Sequence, residues 1–127
     1  MGEFGREICE RTRRLGVEVI RMAGRMPKNP AGWEIARQVV RSSNSVAANL
    51  EEAQGAVSDA DFAHSVNIAR KEARETHMWL RNIRDSGLMA GPELEAMIQE
   101  SNEVVGILVA TMKTLQRRQQ TKKRRNC

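Results

Sequence analysis

Aromatic residues make up only 3% of this 127-residue sequence: Phe4, Trp33, Phe62 and Trp79, with no tyrosine. Threonine is also scarce. Both shortages argue against an all-β domain, whose strands favour aromatic and β-branched side chains. Three prolines leave room for long uninterrupted helices. Two cysteines, Cys9 and Cys127, stand too far apart in sequence for a disulfide framework or a zinc pattern. The longest purely apolar run, Ile107-Leu108-Val109-Ala110, is much too short to span a membrane. The opening MGEFGREICERTRR lacks the apolar stretch of a secretory signal. The expectation is a cytoplasmic protein without membrane association, of a length suited to one domain with a real core.

What the sequence does contain is charge, unevenly placed. The formal net charge is +5. Six of the 21 basic residues, Arg117, Arg118, Lys122, Lys123, Arg124 and Arg125, fall in the last eleven positions, with no acid among them. Residues 1–116 are left with 15 basic and 16 acidic groups. A run like QRRQQTKKRRNC reads as a disordered, solvated terminus. It also has the composition of a nucleic-acid-binding arm, because each cation set on a phosphate releases a counterion. Within the domain, residues 1–28 hold seven basic and four acidic groups, and residues 91–116 one basic and four acidic. The two segments would attract each other if they were neighbours.

Apolar periodicity defines four helices. The first is expected over 3–25, with Phe4, Ile8, Leu15, Val19, Met22 and Met26 at helical spacing and Thr12 filling the gap. Pro27 and Pro30 break it. The second is expected over 32–54, or from Pro30 with Asn29 as cap. Its stripe is Ala36, Val39, Ser43, Val46, Leu50 and Ala53. The third, over 59–86, opens on Ser58-Asp59-Ala60-Asp61, with Ser58 as cap and acids at the positive end of the helix dipole. Phe62, Val66, Ala69, Ala73, Thr76, Leu80 and Ile83 then hold a heptad seam. The fourth, over 92–116, carries Leu94, Met97, Ser101, Val104, Leu108, Thr111 and Leu115, with room to run on into the basic segment. Four helices with short connections predict an all-α, up-down-up-down antiparallel four-helix bundle over 1–116, followed by a basic tail over 117–127. A second apolar row (Trp33, Val40, Ala47; Ile68, Trp79; Ile98, Val105, Met112) exceeds what one buried stripe needs, which favours a homo-oligomer.

Convergent chemistry is sparse. His64 and His77 lie thirteen apart on one helix, roughly 20 Å at 1.5 Å per residue, and so do not share a metal. There is no Glu-x-x-His motif, phosphate-binding glycine loop, Gly-x-Ser-x-Gly or Cys-x-x-Cys. No cofactor, metal or enzymatic activity is expected. Glu51, Glu52, Glu72 and Glu75 read as ion-pair partners for Arg70 and Arg74 at the surface or at a subunit interface. Arg41, Ser45, Asn49 and Glu52 line one face of the second helix. Asn49 there suits a register-fixing bond to a neighbouring helix.

The stretch Gln38-Val39-Val40-Arg41-Ser42-Ser43-Asn44-Ser45-Val46-Ala47-Ala48-Asn49-Leu50-Glu51-Glu52 resembles the pattern Q-I-x-R-A-x-x-S-I-x-x-N-I-x-E of the bacterial four-helix-bundle family encoded in 23S rRNA intervening sequences. Ile68-Ala69-Arg70-Lys71-Glu72-Ala73-Arg74-Glu75-Thr76-His77-Met78-Trp79-Leu80-Arg81 is similar to that family's I-A-x-K-E-A-R-E-T-x-Y-W-L-R. Asp85-Ser86-Gly87-Leu88 matches its helix-ending E-S-G-L. The resemblance covers about residues 15–115. Ala53 stands where family members often have Gly, and Met78 where they have Tyr, which removes a hydroxyl. The resemblance implies an up-down bundle, assembly as a homopentamer and no enzymatic activity. It also points to a related accessory protein of diversity-generating retroelements, which binds a reverse transcriptase and contacts nucleic acid through a basic surface. It marks Arg41, Ser45, Asn49, Glu52, Arg70, Glu72, Arg74, Glu75 and Trp79 as signature positions, read here as packing and interface determinants.

Two functional readings follow. One is a non-enzymatic oligomer associated with RNA or DNA through Arg117, Arg118, Lys122, Lys123, Arg124 and Arg125. The other is a protein-binding scaffold or accessory subunit without nucleic-acid contact. Trp33 and Trp79 would be its natural anchors if they are not core or subunit-interface residues.

Overall fold

The computed structural model describes residues 2–126, so Cys127 lies outside the described residues. Four helices follow in chain order: α1 (Gly2–Ala23), α2 (Pro30–Gln54), α3 (Asp59–Asp85) and α4 (Pro92–Arg125). No strand occurs among the described residues. Local chemistry sets most boundaries. Asn29 caps α2, its side chain accepting a hydrogen bond from the Gly32 amide, with Pro30 in the first turn. Ser58 caps α3 by accepting from the Asp61 amide. The turn after α3 passes through Gly87 at φ 79°, a left-handed conformation that glycine adopts without a Cβ penalty.

Neighbours in sequence are neighbours in space. α1 packs on α2, α2 on α3 and α3 on α4, and α4 returns to α1 in the sparsest of the four contacts. This is an antiparallel up-down-up-down bundle, with α1/α3 and α2/α4 as diagonals. Two apolar clusters fill its axis. One holds Ile8, Val46, Leu50, Val66, Ala69, Ala73, Val104 and Leu108. The other holds Leu15, Val19, Met22, Val39, Leu80, Ile83, Leu94 and Met97. The α3 seam is buried as its heptad spacing predicts, from Val66 to Ile83. Between α2 and α3 the Thr76 and Ser42 hydroxyls share a hydrogen bond at 2.9 Å, and the Thr76 hydroxyl donates to the Glu72 carbonyl on its own helix at 2.8 Å. No buried side-chain polar atom among the described residues lacks a partner.

Ion pairs reinforce the α1–α4 contact at its surface. Arg11 bonds Glu100 twice and Glu103 once, and Arg25 reaches Glu93 at 2.8 Å. The basic first segment and the acidic fourth are thus adjacent, and their opposite charges close the ring.

Several expectations are corrected. The tail does not start a disordered segment at residue 117, since α4 continues through Arg125. From Ile107 to Asn126 no glycine or proline interrupts it, and its Gln, Arg and Lys residues are good helix formers. Four cations in its last turn complement the negative end of the helix dipole. Phe4, placed in the α1 stripe, is 50% exposed at the end of the bundle. Of the second apolar row, Ala47 and Ile98 are already buried within the chain, whereas Trp33 is 60% exposed. Val40, Ile68, Trp79, Val105 and Met112 are half-buried.

Candidate nucleic-acid interface

The three-four spacing of the α4 seam does not stop at Leu115. It continues through Arg118, Lys122 and Arg125, so an apolar stripe becomes a cationic one where the rest of the bundle ends. Arg117 and Arg124 sit seven residues apart on an adjoining stripe, and Lys123 is carried on the far side. All six side chains are exposed. Lys122 forms an ion pair with Asp59 at the start of α3. The Lys122 ammonium, helped by Arg118, holds the Asp59 carboxyl below its ordinary range. Arg118 acts on Asp59 only at longer range, and Arg117, Lys123, Arg124 and Arg125 form no ion pair among the described residues. No acid occurs between Val104 and Asn126 to offset them.

Beside this helix lies an open groove of about 830 Å3. The first turn of α1 contributes Phe4, the α2–α3 turn Val57, and the first turns of α3 Asp59 and Phe62. Along α4 the wall changes from Ile107 and Leu115 to Arg118 and Lys122. Phe62 is half-buried against the core, and Val57 is 90% exposed.

The signature positions form a different patch, on the outer face between α2 and α3. Arg41 bonds Glu72 at 3.1 Å, pairs with Glu75, and donates to Gln38 Oε1 at 3.3 Å. Trp79 Nε1 donates to Glu75 at 3.0 Å. Arg41, Glu72, Glu75 and Trp79 thus form one chain of contacts. The expected partnership of these carboxylates with Arg70 and Arg74 is not what forms. Arg70 instead bonds Asn67 on its own helix at 2.9 and 3.0 Å, and Arg74 is exposed. Three residues separate Arg70 from Asn67, so the local bond wins over a longer reach. Asn49 likewise bonds Ser45 of its own helix, at 2.8 Å to the carbonyl and 3.1 Å to the hydroxyl, and does not cross to a neighbour. Glu51 and Glu52 are exposed.

His77 bridges α3 to α4. Its Nδ1 lies 3.1 Å from the Ile98 carbonyl oxygen and 3.0 Å from Ser101 Oγ. Burial, and after it the nearby Arg81, push its pKa down. Burial also raises the Cys9 thiol, with Glu51 adding to the effect. No group of three or more potential metal ligands occurs among the described residues, and no helix there is long and apolar enough to cross a membrane.

Reading the sequence alone missed the groove. Phe4 and Phe62 are far apart in sequence and come to line one groove only through the antiparallel packing. The available signal was the seam spacing, which runs past Leu115 without a break.

The fold, the signature patch and the basic helix define a small all-α four-helix bundle protein. The sequence matches the 23S rRNA-intervening sequence protein family over residues 6–110, and the chain belongs to that family. Among solved structures it is similar to a protein of unknown function from the S23 ribosomal protein family of Bacteroides thetaiotaomicron VPI-5482. The identity is 27% and the TM-score 0.78, covering 86% of this chain and 97% of that one. No curated protein matches the sequence. The cationic end of α4 lies beyond the family match.

Proposed function

We propose that this chain is a non-enzymatic, oligomeric bundle protein that associates with RNA through the C-terminal turns of α4. The observation that carries this reading is the exposed helical array of Arg117, Arg118, Lys123, Arg124 and Arg125, none of them held in a direct ion pair among the described residues, with Lys122 beside them. A cationic helix of this kind meets phosphates by counterion release and reads backbone and shape, not base sequence. The family's link to 23S rRNA intervening sequences supports RNA as the polyanion. Assembly into a homopentamer would gather thirty such charges, so weak contacts would add. The test is binding of a structured RNA hairpin across a salt series. The full chain is compared with a variant in which all six cations are replaced by Gln. Tight binding by the full chain, with a salt slope shallower by up to about 4 in the variant, supports the reading. No binding by the full chain at low salt refutes it. Light scattering at micromolar concentration tests the assembly, and a mass of 14.3 kDa would end that part of the proposal.

A second reading, a protein-binding accessory subunit, is favoured by Trp33, an exposed tryptophan of the kind that anchors interfaces. A Trp33→Ala variant that loses a co-purifying protein while keeping its RNA affinity would favour it.

A further inference from the structure

Half of the aromatic residues in this chain face one groove, and cations line the same groove. Phe4 is 50% exposed there and Phe62 forms part of the floor, while Arg118 and Lys122 stand on the α4 wall. Phosphate binding alone gives a phenyl ring nothing to do. A duplex keeps its bases stacked inside and offers phosphates and sugars to a protein surface. A single strand offers phosphates and free base faces together, which suits an aromatic surface set beside cations. We propose that this groove is a single-strand RNA subsite, in which unstacked bases lie on Phe4 while the adjoining phosphates meet Arg118 and Lys122.

This inference rests on the RNA reading above and adds a substrate class to it. The charge pattern of the groove fits. Among the described residues Asp59 is the only acid lining it, and that acid is already paired with Lys122. In the free protein Asp59 occupies a cation that a phosphate would take. Phe62, Ile107 and Leu115 line the same groove as Phe4, so the groove offers a base apolar surface as well as charge.

The experiment uses the full chain and two fluorescein-labelled probes, a uridine oligonucleotide of about 12 nucleotides and a duplex of equal total charge. Phe4→Leu keeps an apolar side chain but removes the flat ring. It is expected to weaken single-strand binding about five-fold or more, with duplex binding and both salt slopes unchanged. Phe4→Trp is expected to restore or tighten single-strand binding. Asp59→Asn is expected to tighten it by releasing Lys122.

If the wild-type chain binds neither probe, the RNA reading itself fails and this inference falls with it. If it binds both probes equally and Phe4→Leu changes nothing, the basic helix remains the RNA contact and the groove is overturned as a base subsite. Displacement of the labelled oligonucleotide by both Phe4→Leu-insensitive duplex and an acidic amphipathic peptide that needs Phe4 would overturn it in favour of a protein partner.

Discussion

Arg11 of α1 donates two hydrogen bonds of 2.7 Å each to Glu100 of α4, in a two-pronged contact across the sparsest seam of the bundle. The guanidinium holds the Glu100 carboxyl below its ordinary range. The geometry is good, but both side chains keep partial access to water, at 35% and 26%, so the gain is limited by screening. Glu100→Gln is expected to lower stability by about 0.5–1 kcal/mol in dilute buffer and by less in molar salt. Urea unfolding of wild type, Glu100→Gln, Arg11→Met and the double variant measures the coupling. A coupling indistinguishable from zero at low salt would show that the pair does not close the ring.

Gly32 sets how the entry of α2 packs. A Cβ placed on it would lie 2.0 Å from the Pro27 carbonyl oxygen, a backbone atom that cannot turn aside. In an open helix, Gly→Ala gains about 1 kcal/mol. Here overpacking dominates, and Gly32→Ala is expected to destabilise by roughly 2 kcal/mol. A melting temperature equal to or above wild type would contradict this.

The buried Thr76–Ser42 bond should behave as a matched pair. Thr76→Val alone removes one partner at an almost unchanged volume and is expected to cost about 1 kcal/mol. Adding Ser42→Ala removes the other partner and should cost less than the sum of the two single changes. Strict additivity in denaturant titrations would mean that the hydroxyls do not help each other.

His77 makes stability depend on mild acid. Its folded pKa lies below the ordinary 6.5, so the unfolded chain binds the proton more readily. The contribution is therefore complete above pH 6.5 and is lost as pH falls from there toward the folded value. Urea midpoints for wild type should drop between pH 7 and pH 5.5, and His77→Gln should flatten that slope. Glu100 acts lower. Its carboxyl is depressed from 4.5, so its contribution is present above that pH and is lost as pH falls further, through its folded value. Equal slopes in the two proteins between pH 7 and pH 5.5 would remove His77 as the cause.

The helices, their order and most of what they bury follow from local sequence chemistry. Apolar residues at three-four spacing can hide only on one side of a helix, and Asn29-Pro30, Ser58 and Gly87 act on the chain within a few residues of themselves. That is why the α3 seam from Val66 to Ile83 was legible in advance. Tertiary structure decided the rest. Whether Arg70 or Arg41 receives Glu72 depends on which helix stands alongside and how far each side chain reaches. Periodicity carries no such information, and Arg41 is the partner that forms. The end of α4 was legible as charge but not as structure. Its helix persists because nothing in the sequence breaks it and because Lys122 finds Asp59, 63 residues away. The groove has the same origin. Phe4, Phe62 and Arg118 face one space only because antiparallel helices bring the start of α1, the start of α3 and the end of α4 to the same end of the bundle.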